Sequence, residues 1–488
     1  MQMTICLARH FHDRVAQVGR AHPLPKAYKD KSPRVRREPQ RGCQQPDFAD
    51  RPTLYRSMIK DRRGTETRLA SWRKLMRITQ FGFIVKKVLV TLVLTFLFAL
   101  LTPGAASAGT EKVLTVFDSP TGPSYATGTL VFDKSGNLYG TSNETGAIGH
   151  GTVFEVKHNR NGSWTTDVLY TFTGGLDGGG PYAGVIFDDS GNLYGTTVYG
   201  GSSANAGVVF KLLPPSGGST TWTETVLYTF TGGDDGGSPY VLLFDKSGNL
   251  YGTTVGGGGN NAGTVFRLTP PASGSGDWTE TVLYSFTGKN DGGSPTAGVV
   301  FDASGNLYGT ASGGGTLNQG VVFELVAPSG GSTEWTESVL YNFTGDYDGR
   351  NPLGGVVFDK SGNLYGTTSS ARKELYGGVF ELSPNTDGTW TETTLANFDC
   401  TQGAPLTGLT IDASGNLYGT NGHAGEFWWG GIFELSPTSN SFALSIPWRL
   451  IGFGRLPYAG VTLDAAGNLY SVTNIGSNNN GIVFEVIQ

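Results

Sequence analysis

One short string constrains this chain more than any other feature. Asp-x-(Ser/Ala)-Gly-Asn-Leu-Tyr occurs seven times, beginning at Asp133, Asp188, Asp245, Asp302, Asp359, Asp412 and Asp464. Successive copies lie 55, 57, 57, 57, 53 and 52 residues apart. A period this regular means one supersecondary unit repeated, each copy burying its apolar face against its neighbours. Within a unit, four strand-sized pieces can be read. An apolar run ends in the aspartate (residues 298–302, GVVFD), and an Asn-Leu-Tyr-Gly-Thr run follows. Then come a Gly-Val-Val-Phe run (320–325, GVVFEL) and a run opened by Trp (278–287, WTETVLYSFT). All four are rich in β-branched and aromatic residues, alternate apolar with polar, and are punctuated by Gly. Asp at the first and Gly at the fourth position of the connection between the first two pieces suit a type I turn.

Four antiparallel strands at a period of roughly 50 residues predict a propeller blade, since solenoid coils are shorter. The expected fold is therefore all-β, a seven-bladed β-propeller of four-stranded blades. The ends of the chain support a closed ring. The first three pieces occur seven times, but the fourth follows only six of them, and the chain ends on residues 481–488 (GIVFEVIQ). The missing copy is at the other end: residues 110–117 (TEKVLTVF) align without a gap on 223–230 (TETVLYTF). The N-terminal strand is expected to complete the last blade and so remove an open edge.

Charge divides the chain. Residues 1–87 hold 21 of the 35 Lys and Arg against 7 Asp and Glu, leaving 14 basic and 33 acidic residues from Gly109 onward, a net of −19. Residues 76–108 read as a secretory signal: Lys86 and Lys87, a 14-residue apolar run at 88–101, and the small-residue site Ala106-Ser107-Ala108. Cleavage is expected after Ala108, giving a secreted or cell-surface protein. An uncleaved anchor behind a basic tail is the competing reading, although a membrane span needs roughly 20 apolar residues. Residues 1–75 are basic and aperiodic, and read as unstructured or as a misplaced start. The body, 109–488, has one cysteine, Cys400, and so cannot form a disulfide within itself. Its acidity disfavours nucleic acid and anionic membranes; a monomer with no membrane insertion of the mature domain is expected.

The unit also resembles a known family. Residues 298–310 (GVVFDASGNLYGT) followed by 320–325 are similar to the GloVer (Gloeobacter–Verrucomicrobia) tandem repeat of exported bacterial proteins. That resemblance spans essentially all of 111–488 and implies export and a repeat domain, with no activity attached. A weaker likeness connects the Gly-hydrophobic-Asp-x-x-Gly-Asn-Leu-Tyr pattern to NHL-type propellers.

Three features carry candidate chemistry. Phe-Thr-Gly-x-x-Asp-Gly-x-x-Pro junctions place Asp177, Asp235, Asp291 and Asp348 on one rim. Read functionally they are an arc of carboxylates for Ca²⁺ or hydroxyl-rich ligands; read structurally, and preferred here, they cap Asp-Gly turns. The seven aspartates of the repeated string superficially resemble a Ca²⁺ loop but lack its Gly and bidentate Glu, and are assigned to turns. Finally, symmetry breaks between the second and third strands of two adjacent units. Arg372, Lys373, Glu374, Leu375 and Tyr376 stand in one, and His423, Glu426, Phe427, Trp428 and Trp429 in the next. Aromatic rings beside Arg, Glu and His suit sugar stacking or a peptide hot spot; local packing in a degenerate unit is the equal alternative. No catalytic motif is present, and no cofactor is expected, with Ca²⁺ the one metal considered. The sequence is read as an exported, non-catalytic binding or scaffold module for glycan or protein. The alternative is a polysaccharide-acting glycosidase or lyase, with a pair such as Asp348 and Glu426 as its carboxylates.

Overall fold

The structure, a computed structural model, describes residues 110–117, 122–144, 149–274, 276–330, 332–372, 375–422, 429–439, 441–450, 454–476 and 480–488. The basic segment and the export signal read from residues 1–108 lie outside them. Among the described residues there is no helix; seven antiparallel sheets repeat one topology, and a two-stranded ladder, Gly454–Arg455 with Ile475–Gly476, stands apart from them. Blades are numbered 1 to 7 in chain order by their turn aspartates, Asp133 to Asp464. In blade 1 the strands are Val131–Phe132, Leu138–Ser142, Thr152–His158 and Trp164–Thr171, paired in that order. The chain is a seven-bladed β-propeller.

Small residues decide the packing inside a blade. Gly140 sits directly across the ladder from Phe154, and a Cβ there would fall into the phenyl ring. Gly195, Gly252, Gly309, Gly366 and Gly419 face Phe210, Phe266, Phe323, Phe380 and Phe433 in the same way. The second strand thus gives up a side chain so that the third can bury a phenylalanine, and all six rings are buried.

Adjacent blades are joined by the tyrosine and threonine of Leu-Tyr-Gly-Thr. Tyr139 of blade 1 meets Phe187 of blade 2 edge to face at 4.9 Å, and Tyr194–Phe244, Tyr251–Phe301 and Tyr308–Phe358 repeat this at 5.0 Å. Thr141 Oγ1 donates to the Ala183 carbonyl of the next blade at 2.8 Å, as Thr253 does to Ala297 and Thr310 (2.9 Å) to Gly354. The tryptophans of the fourth strands also work between blades. Trp222, Trp278 and Trp390 lie edge-on to Tyr139, Tyr194 and Tyr308 at 6.4, 6.3 and 6.2 Å.

Ring closure repeats these contacts rather than improvising new ones. Tyr470 of blade 7 meets Phe132 of blade 1 edge to face at 5.0 Å. Thr462 Oγ1 donates to the Leu130 carbonyl at 2.5 Å, and Gly460 N donates to Thr129 Oγ1 at 3.1 Å. The N-terminal strand Thr110–Val116 is the outer strand of blade 7, paired with Ile482–Ile487 from Thr110↔Ile487 to Val116↔Ile482. Its register skips Leu114, and the fourth strand of blade 2 skips Leu227 at the equivalent place. A shared bulge gives the transplanted strand the twist of the six it imitates.

Candidate functional site

Each blade exposes two ends, and the seven turn aspartates occupy one of them. Asp133 Oδ1 accepts from Ser135 N at 2.7 Å and Asn137 N at 2.9 Å, while Oδ2 accepts from Asn137 Nδ2 at 2.8 Å. Tyr139 Oη approaches the same oxygen at 3.4 Å. Gly136 closes the turn from a positive φ of 84°, which only glycine adopts cheaply. Asp188, Asp245, Asp302, Asp359, Asp412 and Asp464 each accept the equivalent bonds from backbone and Asn donors. All seven carboxylates hold their hairpins.

At the opposite rim, the junction entering a blade runs beside the loop between its second and third strands. Bridges Gly179↔Tyr199, Gly293↔Gly313 and Arg350↔Ser370 fix that adjacency. The junction aspartates point back into their own loops. Asp235 accepts from Thr231 N at 2.8 Å, Thr231 Oγ1 at 2.6 Å and Tyr228 Oη at 3.2 Å. Asp291 and Asp348 accept the same three donors from Thr287 with Tyr284 and from Thr344 with Tyr341. Asp177 does so from Thr173 and Tyr170. Burial and then the carboxylate charge push the Tyr170 and Tyr228 phenols well above their usual range. Among the described residues, no three His, Cys, Asp or Glu side chains converge as a metal-ligand set.

Between blades lies a second row of acids. Glu224, Glu280 and Glu337, on the fourth strands of blades 2 to 4, each bury one carboxylate oxygen without a hydrogen-bond partner. All three are pushed up to about 7, first by burial and then by the charges of Asp177, Asp235 and Asp291 respectively.

Of the residues singled out where symmetry breaks, Lys373, Glu374, His423, Glu426, Phe427 and Trp428 lie outside the described residues. Arg372 is exposed; its amide donates to the Asp346 carbonyl at 3.3 Å and its guanidinium pairs with the Asp346 carboxylate at 3.3 Å. Tyr376 is half-buried, anchored by its amide on the Phe398 carbonyl at 2.7 Å and packed into the apolar core there. Trp429 is half-buried too, its carbonyl accepting from Leu456 N at 2.8 Å. The Arg455 guanidinium stands over the Trp429 ring, 5.4 Å from its centroid. Nearby, the Tyr458 hydroxyl is buried with no partner, and burial pushes it up to about 12.

The sequence reading passed over two arginines at this rim, Arg350 and Arg455. They occupy one register position: Arg350 faces Ser370 in blade 5, and Arg455 faces Ile475 in blade 7. Gly179, Gly237 and Gly293 hold that position in blades 2 to 4, facing Tyr199, Gly256 and Gly313. Their signal was available in the junction strings Gly-Arg-Asn-Pro (349–352) and Gly-Arg-Leu-Pro (454–457), set against Gly-Gly-Ser-Pro (236–239 and 292–295).

The sequence profile described as the Gloeobacter/Verrucomicrobia repeat matches residues 101–279 and 274–484. No curated protein matches the chain. Solved structures similar to it include the extracellular domain of the one-component system named BT4673 from B. thetaiotaomicron, at 9% identity and a TM-score of 0.49. That match covers 76% of this chain and 39% of the other. PorZ, a bacterial surface component of the type-IX secretion system of Porphyromonas gingivalis, is similar at 14% identity and a TM-score of 0.44, over 76% and 48%. An oxidoreductase named as a glucose dehydrogenase from Thermus thermophilus is similar at 15% identity and a TM-score of 0.39, over 78% and 100%. The chain thus spans less than half the length of the first two. Among the described residues, no helix is long and apolar enough to cross a membrane.

Proposed function

We propose, for a chain that belongs to the Gloeobacter/Verrucomicrobia repeat family, an exported, non-catalytic binding module that presents a glycan or protein site on one rim. Export rests on the leader read from residues 76–108. The binding reading rests on one observation: the rim over blades 5 to 7 departs from the repeat. There Arg350, Arg372 and Arg455 stand where blades 2 to 4 carry glycine, and Trp429 stands where they carry Ala206, Ala262 and Gln319. Seven equal blades offer seven equal weak contacts, so a specific ligand needs such a departure. The repeated carboxylates, by contrast, use their acceptor capacity inside their own turns.

Purified body, residues 109–488, is to be screened on a glycan array with and without EDTA, and the bound sugars assayed for new reducing ends. Binding without release, weakened in Trp429→Ala, is the expected result. Release of reducing ends would instead establish the glycosidase or lyase alternative.

A further inference from the structure

We infer that the ligand of this rim is a polyanionic saccharide, a chain of carboxylate- or sulfate-bearing sugars, and that Arg350 and Arg455 are its anchoring cations. This deepens the binding reading above and rests on it.

The first argument is placement. From Gly109 onward the chain has six arginines in a body of net charge −19, and four of them, Arg350, Arg372, Arg449 and Arg455, fall between positions 350 and 455. Arg350 and Arg455 share the register position that is glycine in blades 2 to 4. A solvating role would scatter cations over the acidic surface. Two arginines at one repeat position, in blades 5 and 7 with blade 6 between them, instead suit a ligand whose charges recur along its length.

Preorganisation is the second. The Nε of Arg350 donates to Ser370 Oγ at 3.1 Å, and its amide donates to the Ser370 carbonyl at 2.7 Å. Arg455 lies over the Trp429 ring. Each guanidinium is steadied by a neutral neighbour, and no carboxylate among the described residues stands within ion-pair distance of either. Arg372, by comparison, already has Asp346. A guanidinium held from one side presents its remaining N–H fork to a carboxylate or sulfate, the geometry in which Arg binds oxyanions bidentately.

The body's negative charge opposes a polyanion only at long range. At physiological salt the screening length is about 8 Å, so the local arginines, not the total charge, decide contact. The Trp429 ring beside Arg455 favours sugar rings over an acidic peptide, because a pyranose face can pack on an aromatic ring.

Binding is to be measured by calorimetry at low and at physiological salt against polygalacturonate, dextran sulfate, plain dextran and poly-glutamate. The proteins are the parent body, Arg350→Gly, Arg455→Gly and the double variant. Glycine is what blades 2 to 4 carry at this position, so the fold should tolerate it, and melting curves check that it does. Expected are binding of polygalacturonate or dextran sulfate but not of dextran, loss with salt, and a roughly tenfold weakening per arginine removed. Whichever of the two anionic polymers binds identifies carboxylate or sulfate as the recognised group. Equal binding by the parent and the double variant overturns the inference, as does a preference for plain dextran, and the latter leaves the glycan-binding function standing. Arginine-dependent binding of poly-glutamate alone overturns it in favour of an acidic protein. Silence toward every saccharide, here and on the array, removes the glycan reading as well.

Discussion

The three glutamates buried between blades make the stability of this ring depend on pH in a direction opposite to that of most acidic proteins. Glu224, Glu280 and Glu337 each keep one oxygen from water with no donor to it. The phenols facing them, Tyr170, Tyr228 and Tyr284, already donate their single protons to Asp177, Asp235 and Asp291. An ionised glutamate there is unpartnered and sits beside a second carboxylate, so the neutral acid is favoured. In the fold these groups titrate at about 7, against an ordinary 4.5. Between those values the folded ring binds more protons than the unfolded chain, so stability falls as pH rises from about 4.5 to about 7 and levels off above.

One unit of displacement corresponds to about 1.4 kcal/mol. These side chains are only part-buried and partly screened, which leaves ~1 kcal/mol each as a working figure and ~3 kcal/mol for the three. For a body of about 380 residues, with an unfolding entropy of roughly 2 cal/mol/K per residue, that is ~4 °C in Tm. Melting the parent and the triple variant Glu224→Gln/Glu280→Gln/Glu337→Gln from pH 4.5 to 8 tests it. The parent should lose about that much across the window, and the variant should keep most of it at pH 8. Glu392 supplies an internal control: it occupies the same position and is also raised by burial, but the Thr394 hydroxyl donates to it at 2.9 Å. Its Gln variant should therefore change the slope less. Identical slopes in the parent and the triple variant would refute the reasoning, since the buried oxygens would then be hydrated in solution.

Two further outcomes test the architecture. Removing residues 110–117 strips the outer strand from blade 7 and bares Ile482–Ile487 as an edge. Light scattering should then show association and melting should lose cooperativity, whereas an unchanged monomer would contradict closure. Gly354→Ala puts a Cβ on the Thr407–Gly408 backbone of the neighbouring blade, and denaturant unfolding should register a loss of roughly 1–3 kcal/mol.

What the sequence revealed and what it hid follow from one cause. A repeated string reports what all blades share. Hence Asp133 and its six equivalents were legible as turns, and residues 110–117 as the missing strand, because each matches a template present elsewhere in the chain. The bulge at Leu114 was not legible, since it appears only when two strands are laid in register. The burial of Glu224 was hidden: Thr-Glu-Thr alternates as an exposed strand would, and only the neighbouring blade shows that the glutamate faces inward. Arg350 and Arg455 escaped for a related reason. Their equivalence is a property of strand pairing across two loops, and the shorter junction of blade 6, where Pro405 follows Gly403 by two residues instead of three, breaks the alignment between them. Selection for a ring acts on the shared positions, where any blade can stand for any other. Selection for a ligand can act only where blades differ, so the residues that best define this fold are poor places to look for its site. The two arginines that interrupt a run of glycines are therefore worth more as functional signal than all seven aspartates of the repeat.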